Sequence, residues 1–252
     1  MSAHRLISTL LLFGTVLVYG CVTPPQTVET TPSEVRETSI MVRKEELVIE
    51  VNGELLQAAF EGQPAALTSA LDALEIERED DEDVVIEDGL TALLLASIRG
   101  HTECIRLLLD AGVDVNGKTA RGGTALMWAA GSGENSTETV RLLVAAGAEV
   151  NAETNDGRTA LMDAALHGNT EPARLLLQAG AQVDAQTDDG TTPLMESARH
   201  GNTGTVELLL SNGSEVNAVN REGVTALQEA VAAGHDDVER LLRGAGAVDV
   251  AF

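Results

Sequence analysis

The chain has 252 residues and carries 40 acidic against 16 basic side chains, a formal charge of −24. A field of that sign repels nucleic acid and anionic lipid headgroups and favours solubility, so DNA or RNA binding is not expected. Aromatic residues make up only 2 % of the total, so a core must be assembled in thin layers from Ala, Leu, Val and Gly.

The N-terminus carries its own signal. His4 and Arg5 precede an apolar run from Leu6 to Val18, and Val18-Tyr19-Gly20-Cys21 follows. A basic start, roughly 7–15 apolar residues and a small residue before the cut describe a secretory signal peptide, here residues 1–20. The run is shorter than the roughly 20 apolar residues that span a bilayer. A Cys at the cut resembles the bacterial lipobox, in which the Cys becomes lipidated and forms the new N-terminus. That resemblance implies lipidation at Cys21. Val22 in place of an Asp further implies the outer membrane, facing the periplasm. Ordinary cleavage after Gly20, giving a soluble periplasmic chain, is the alternative. Two or three acyl chains would hold the protein lastingly, because each buried methylene contributes roughly 0.8 kcal/mol. Residues 21–45 then read as the lipidated Cys and a tether rich in Thr, Pro, Glu and Ser, too polar to fold. With Cys21 consumed, Cys104 stands alone, no intramolecular disulfide is possible, and a small half-buried residue is expected there.

From residue 46 onward the chain reads as one array. A weaker unit, ELLQAAFEGQPAALTSAL at 54–71, forms a cap over 46–87. It ends in the acidic run Glu77–Asp83, a solvated insertion without the Gly and alternating spacing of a calcium loop. A Thr-Ala/Pro-Leu box then recurs five times, with leading Thr residues at 91, 124, 159, 192 and 225. The intervals of 33, 35, 33 and 33 residues define stacked units, each too small to bury its own apolar face. The copies span about 88–119, 120–154, 155–187, 188–220 and 221–252.

Each copy follows one grammar. A Gly two residues before the Thr (Gly89, Gly122, Gly157, Gly190, Gly223) sits in a hairpin turn. The Thr caps a first helix that ends near Gly100, Gly133, Gly168, Gly201 or Gly234. A second helix opens at Thr102, Thr137, Thr170, Thr203 or Asp236 and carries a Leu-rich triplet such as Leu175-Leu176-Leu177. The second copy holds two extra residues in GSGENSTETV at 131–140, and Arg243 replaces the third Leu in the last copy. The whole resembles the ankyrin repeat, with its 33-residue unit and T-P-L-H-x-A signature. That resemblance implies an all-α repeat solenoid, helix-turn-helix plus β-hairpin per unit, forming a single elongated domain. Only Pro193 supplies the family's Pro. Leu94, Met127, Met162, Met195 and Gln228 replace the family's His, which ties one repeat to the next, so some local loosening is expected. His101 and His235 match the family's structural Gly-His turn.

Nothing in the chain reads as catalytic. It has no phosphate loop, nucleophile elbow or zinc-ligand spacing, and neither cofactor nor enzymatic activity is expected. The fourth and eighth residues after each repeat Thr share a helix face and look toward the concave groove: Leu95/Arg99, Trp128/Ser132, Asp163/His167, Glu196/His200 and Glu229/Ala233. Asp163, His167, Glu196 and His200 are the nearest approach to a metal site, and an incidental polar face is the preferred reading of them. Trp128 is the only Trp, and it suits either a binding hot spot or a lid over the thin core. The expected contacts with a partner are Arg121, Trp128, Asp156, Arg158, Asp163, Asp189, Glu196, His200 and Glu222, lying on hairpin tips and in the groove. The expectation is a monomeric, membrane-tethered module that binds another protein in the bacterial envelope. The alternatives are an accessory factor for a periplasmic enzyme, such as one in oxidative-stress defence, or an immunity-type protein that neutralises a periplasmic effector.

Overall fold

Helix pairs recur down the chain at the repeat spacing. The computed structural model describes residues 41–43, 46–48, 53–76, 89–133 and 135–248. Strands β1 (Met41–Arg43) and β2 (Glu46–Val48) form an antiparallel pair in which Val42 faces Leu47. β1 falls at the end of the segment read as tether. The apolar N-terminal run, Cys21 and the acidic run Glu77–Asp83 lie outside the described residues. The cap holds α1 (Glu54–Glu61) and α2 (Pro64–Ile76). The first copy holds α3 (Gly89–Arg99) and α4 (Thr102–Asp110), and the second α5 (Ala125–Gly131) and α6 (Ser136–Ala145). The third holds α7 (Ala160–His167) and α8 (Thr170–Gln178), and the fourth α9 (Pro193–Arg199) and α10 (Thr203–Ser211). The last holds α11 (Ala226–Ala233) and α12 (Asp236–Gly244). Odd-numbered helices stack on one another as an inner layer, and even-numbered helices as an outer one.

The Thr boxes work as caps in four of the five copies. Thr124, Thr159, Thr192 and Thr225 have extended backbone, and their hydroxyls accept the N–H of Met127, Met162, Met195 and Gln228. Each satisfies one donor that the helix start leaves open. In return the Thr225 N–H donates to Gln228 Oε1, completing a capping box. The first copy departs from the expectation. Gly89 is helical, not a turn residue, and Thr91 lies inside α3. The next residue, Leu90, packs its side chain over Gly117, where an added Cβ would stand 2.8 Å from Leu90 Cδ1.

Small residues set the layer spacing. Ala129, Ala130, Ala164, Ala165 and Ala198 are fully buried where neighbouring inner helices meet. One leucine of each triplet points inward: Leu108, Leu143, Leu176, Leu209 and Leu242 are completely covered. Each contributes about 1.5–3 kcal/mol by burial. Met127, Met162 and Met195 are also buried between copies, so a flexible apolar side chain fills the position of the family's His. Cys104 is fully rather than half buried, and burial pushes its thiol above the ordinary range, with Glu103 adding to the shift.

Polar clamps join the copies at both ends of the helices. On the hairpin side, Asn116 donates to the Gly147 carbonyl and accepts from the Glu149 N–H, at 3.2 and 2.8 Å. Asn151 and Asn217 repeat this with Gly180 and Gln182, and with Gly246 and Val248. Asp184 cannot donate, and Ser214 compensates by giving its hydroxyl hydrogen to Asp184 Oδ1 at 2.8 Å. At the opposite end, side chains just after the repeat Gly reach the last carbonyls of the preceding inner helix. His101 donates to Phe60 and His235 to Arg199, each at 3.0 Å. Asn169 donates to Ala130 and Ser132, and Asn202 to Ala165 and Leu166. The two His residues are therefore structural, as expected.

Candidate interaction surface

The tips between copies are turns rather than the expected β-hairpins. Each is closed by two backbone bonds. The N–H of Thr119, Thr154, Thr187 or Asn220 donates to the carbonyl of Gly123, Arg158, Thr191 or Val224 at 2.9–3.1 Å. The N–H of Gly122, Gly157, Gly190 or Gly223 donates back to that Thr or Asn carbonyl at 2.8–2.9 Å. Gly122, Gly157 and Gly190 have φ of 80–82°, a conformation that suits Gly. They also lie against the next tip, since a Cβ on Gly122 would stand 2.9 Å from Thr154 Cα. That closeness lets the tips bond directly. Asn155 N–H reaches Arg121 O at 2.9 Å, Asp188 N–H reaches Asp156 O at 2.9 Å, and Arg221 N–H reaches Asp189 O at 2.8 Å. Four tips thus form one continuous rail.

Arg121, Asp156, Asp189 and Glu222 are all exposed on this rail, as expected. The carboxylates are pre-set by neighbours. Thr154 donates to Asp156 Oδ1 at 2.5 Å, and Thr187 donates to Asp189 Oδ1. The Thr187 hydroxyl, with further bonds from Thr191, holds the Asp189 carboxyl below the usual carboxylate range.

The groove floor differs from the expectation in one important place. Arg158 leaves the rail and turns inward, with its side chain only 15 % exposed. Its Nη1 donates to Glu196 Oε1 at 2.8 Å, while Nη2 and Nε donate to Asp163 Oδ1 at 3.0 and 3.3 Å. Glu196 is 6 % exposed. Arg158 and Glu196, both expected among the partner contacts, bond to each other here and join the third and fourth copies. Asp163 is half-buried, and burial pushes its carboxyl above the usual range against the pull of Arg158. Arg199 makes a second, bidentate link to Glu229 in the next copy, at 2.9 and 2.6 Å. Arg199 was not among the expected site residues. The signal was available in the stacking, since it stands seven residues after Thr192 and Glu229 four after the next repeat Thr. At the N-terminal end, the Arg99 guanidinium lies 4.1 Å from the Phe60 ring centroid. Leu95 and Ser132, read as groove-facing, are buried.

His167 and His200 are exposed on the rim. Each turns Nδ1 toward the carbonyl four residues back, on Asp163 and Glu196, at 2.9 Å. A carbonyl only accepts, so Nδ1 carries the proton. The four residues weighed as a metal site are thus drawn to Arg158 and to backbone. Among the described residues no three His, Cys, Asp or Glu side chains are gathered around a cation position. Trp128 is half-buried on α5, with its indole beside Gly123, where a Cβ would stand 3.5 Å from Nε1. It therefore both covers the second copy and offers an edge to the groove.

The surface that results is an open trough between the rail and the inner helices, with Arg121, Trp128, Asp156, Asp189, His200 and Glu222 accessible. No curated protein matches the chain. The family of ankyrin repeats does, in three copies, over residues 55–154, 119–187 and 180–250. Ankyrin repeats suggest a protein–protein interaction role and imply a protein partner. With nearly the whole array covered by those matches, the chain belongs to the ankyrin repeat family.

Proposed function

We propose that this chain is a membrane-tethered module that captures another protein in the bacterial cell envelope. It is held in the outer membrane through lipidated Cys21, faces the periplasm and acts as a monomer. The observation that carries the binding reading is the rail. Backbone bonds fix four tips at constant spacing, so their side chains meet a partner already ordered, which lowers the entropic cost of association. Trp128 supplies the aromatic anchor beside it. The groove ions at Arg158, Asp163, Glu196, Arg199 and Glu229 serve the array itself, leaving recognition to the rail and Trp128. No catalytic step is assigned to any side chain.

The tether rests on Val18-Tyr19-Gly20-Cys21 and the polar segment that follows. Among the described residues no helix is long and apolar enough to cross a membrane. Labelled palmitate should enter the mature chain, and Cys21→Ala should abolish labelling and leave an unprocessed precursor. Normal processing of Cys21→Ala by ordinary signal peptidase would overturn the anchor. The binding half is tested separately, by affinity capture from detergent-solubilised envelope with the anchored chain as bait. Recovery of one stoichiometric partner is expected, and recovery of none contradicts the reading.

A further inference from the structure

We propose that the array is hinged between its first and second full copies, so that helices α1–α4 swing as one block about the Asn116 clamp. Four independent features meet at this joint. First, the helix-end clamp is missing. Every other joint has one, through His101, Asn169, Asn202 or His235. Here the equivalent residue is Ser136, which makes no such bond among the described residues. Second, the two extra residues displace the turn. The left-handed conformation that Gly168 and Gly234 adopt at φ 70–75° falls instead on Asn135 at φ 50°, and Ser132 caps α5 in an extended conformation. Asn135 is the sole non-Gly residue with positive φ among those described, a conformation that carries a modest cost.

Third, α4 packs less closely against α6 than any other outer helix packs against its successor. Fourth, Thr139 is completely buried in α6, and its hydroxyl has no hydrogen-bond partner. The equivalent Thr205 shares its hydroxyl with Thr170 of the preceding copy at 3.0 Å. A buried hydroxyl without a partner opposes closure of the interface that buries it.

The joint is not simply weak throughout, which is why it acts as a hinge. Asn116 still holds Gly147 and Glu149 on the hairpin side. On the far side of the joint the block is internally tied, by His101 to Phe60 and by Arg99 over the Phe60 ring. Closed on one edge and unclamped on the other, the seam opens at the helix ends. Trp128 lies on α5, just across the seam from α3, so the swing alters the width of the groove beside it.

Hydrogen exchange on the free protein tests this without any partner. Amides of α1, α3 and α4 should share one protection level, at least about tenfold below that of α7–α10, the effect of one missing clamp. Deleting Glu134 and Asn135 with Ser136→Asn restores the Gly-Asn-Thr turn of residues 168–170 and should raise protection of the whole block to the level of the later copies. Should that deletion fail to fold, Thr139→Val provides a second readout and should raise protection of the block severalfold. Protection graded from α1 to α4, as in ordinary fraying of an end, would overturn the hinge. So would a block whose protection neither variant changes.

Discussion

The concave and convex faces carry the same kinds of ion pair, yet the pairs do different work. On the convex face Glu103–Arg106, Glu138–Arg141 and Glu171–Arg174 are i, i+3 pairs within one helix, with both side chains roughly half exposed. Water screens them, and such pairs contribute about 0.3–0.5 kcal/mol. On the concave face Arg158–Glu196 and Arg199–Glu229 cross from one copy to the next, and the glutamates are largely covered. There the cost of desolvation has already been met by the fold, so losing one partner strands a charge. A charged residue on an ankyrin array can therefore decorate a helix or fasten two copies, and position in the stack decides which.

The largest effect expected from this contrast is in Arg158→Ala. It leaves Asp163 and Glu196 facing each other without a cation and should destabilise the array by about 3–5 kcal/mol in chemical denaturation. Leu176→Ala marks what holds the outer layer instead. The side chain is fully buried, and the change should cost about 2–5 kcal/mol through lost burial and a cavity. Unfolding of either variant can become multi-step, since energies in a solenoid pass only between neighbours. Arg174→Ala, on the same helix as Leu176, should alter stability by no more than about 0.5 kcal/mol. An Arg174 effect as large as that of Arg158 would erase the distinction between the faces.

Acidity gives a finer version of the same test. Burial raises the Asp163 carboxyl in the folded state. Its ionisation therefore weighs against folding, and stability falls as pH rises from the unfolded carboxylate value through the raised one. Asp189 on the exposed rail is shifted the other way. It adds stability above the unfolded value that is lost as pH falls through the lowered one. Wild type should thus lose ground to Asp163→Asn, and gain on Asp189→Asn, as pH is raised from about 3 to 7. Equal slopes for the two variants would contradict the assignment of burial at one site and hydroxyl bonding at the other.

Most of the fold was legible because repetition averages out local ambiguity. The Thr caps and the left-handed Gly after the first helix, each realised in four of the five copies, and the inward leucine of each triplet follow from a pattern repeated down the chain. The exceptions were less legible because each occurs once. Gly89 and Thr91 lie inside the first helix of their copy, although the same Gly-x-Thr pattern marks a turn and a cap in the later copies. Arg158 reads as an exposed tip residue, since nothing local shows that it turns toward Glu196, 38 residues away. The burial of Glu196 was illegible for the same reason, since it depends on a side chain from the preceding tip. Exposed tip residues such as Arg121, Asp156, Asp189 and Glu222 were easier, because each stands directly before the turn glycine at the apex, whereas Arg158 follows it.

The central claim is that the rail and Trp128 meet the partner while the convex face and the buried groove ions do not. Affinity capture with three baits tests it most directly: wild type, Arg121→Glu/Trp128→Ala, and Arg141→Ala/Arg174→Ala. The convex-face variant should melt like wild type, and the Trp128 variant should stay folded with a lowered melting temperature, because its indole half-covers the second copy. Capture should fall at least about tenfold for the first variant, the size of effect expected when a hot-spot aromatic is lost, and stay at the wild-type level for the second. Undiminished capture by Arg121→Glu/Trp128→Ala, or its loss in Arg141→Ala/Arg174→Ala, would place recognition elsewhere on the array.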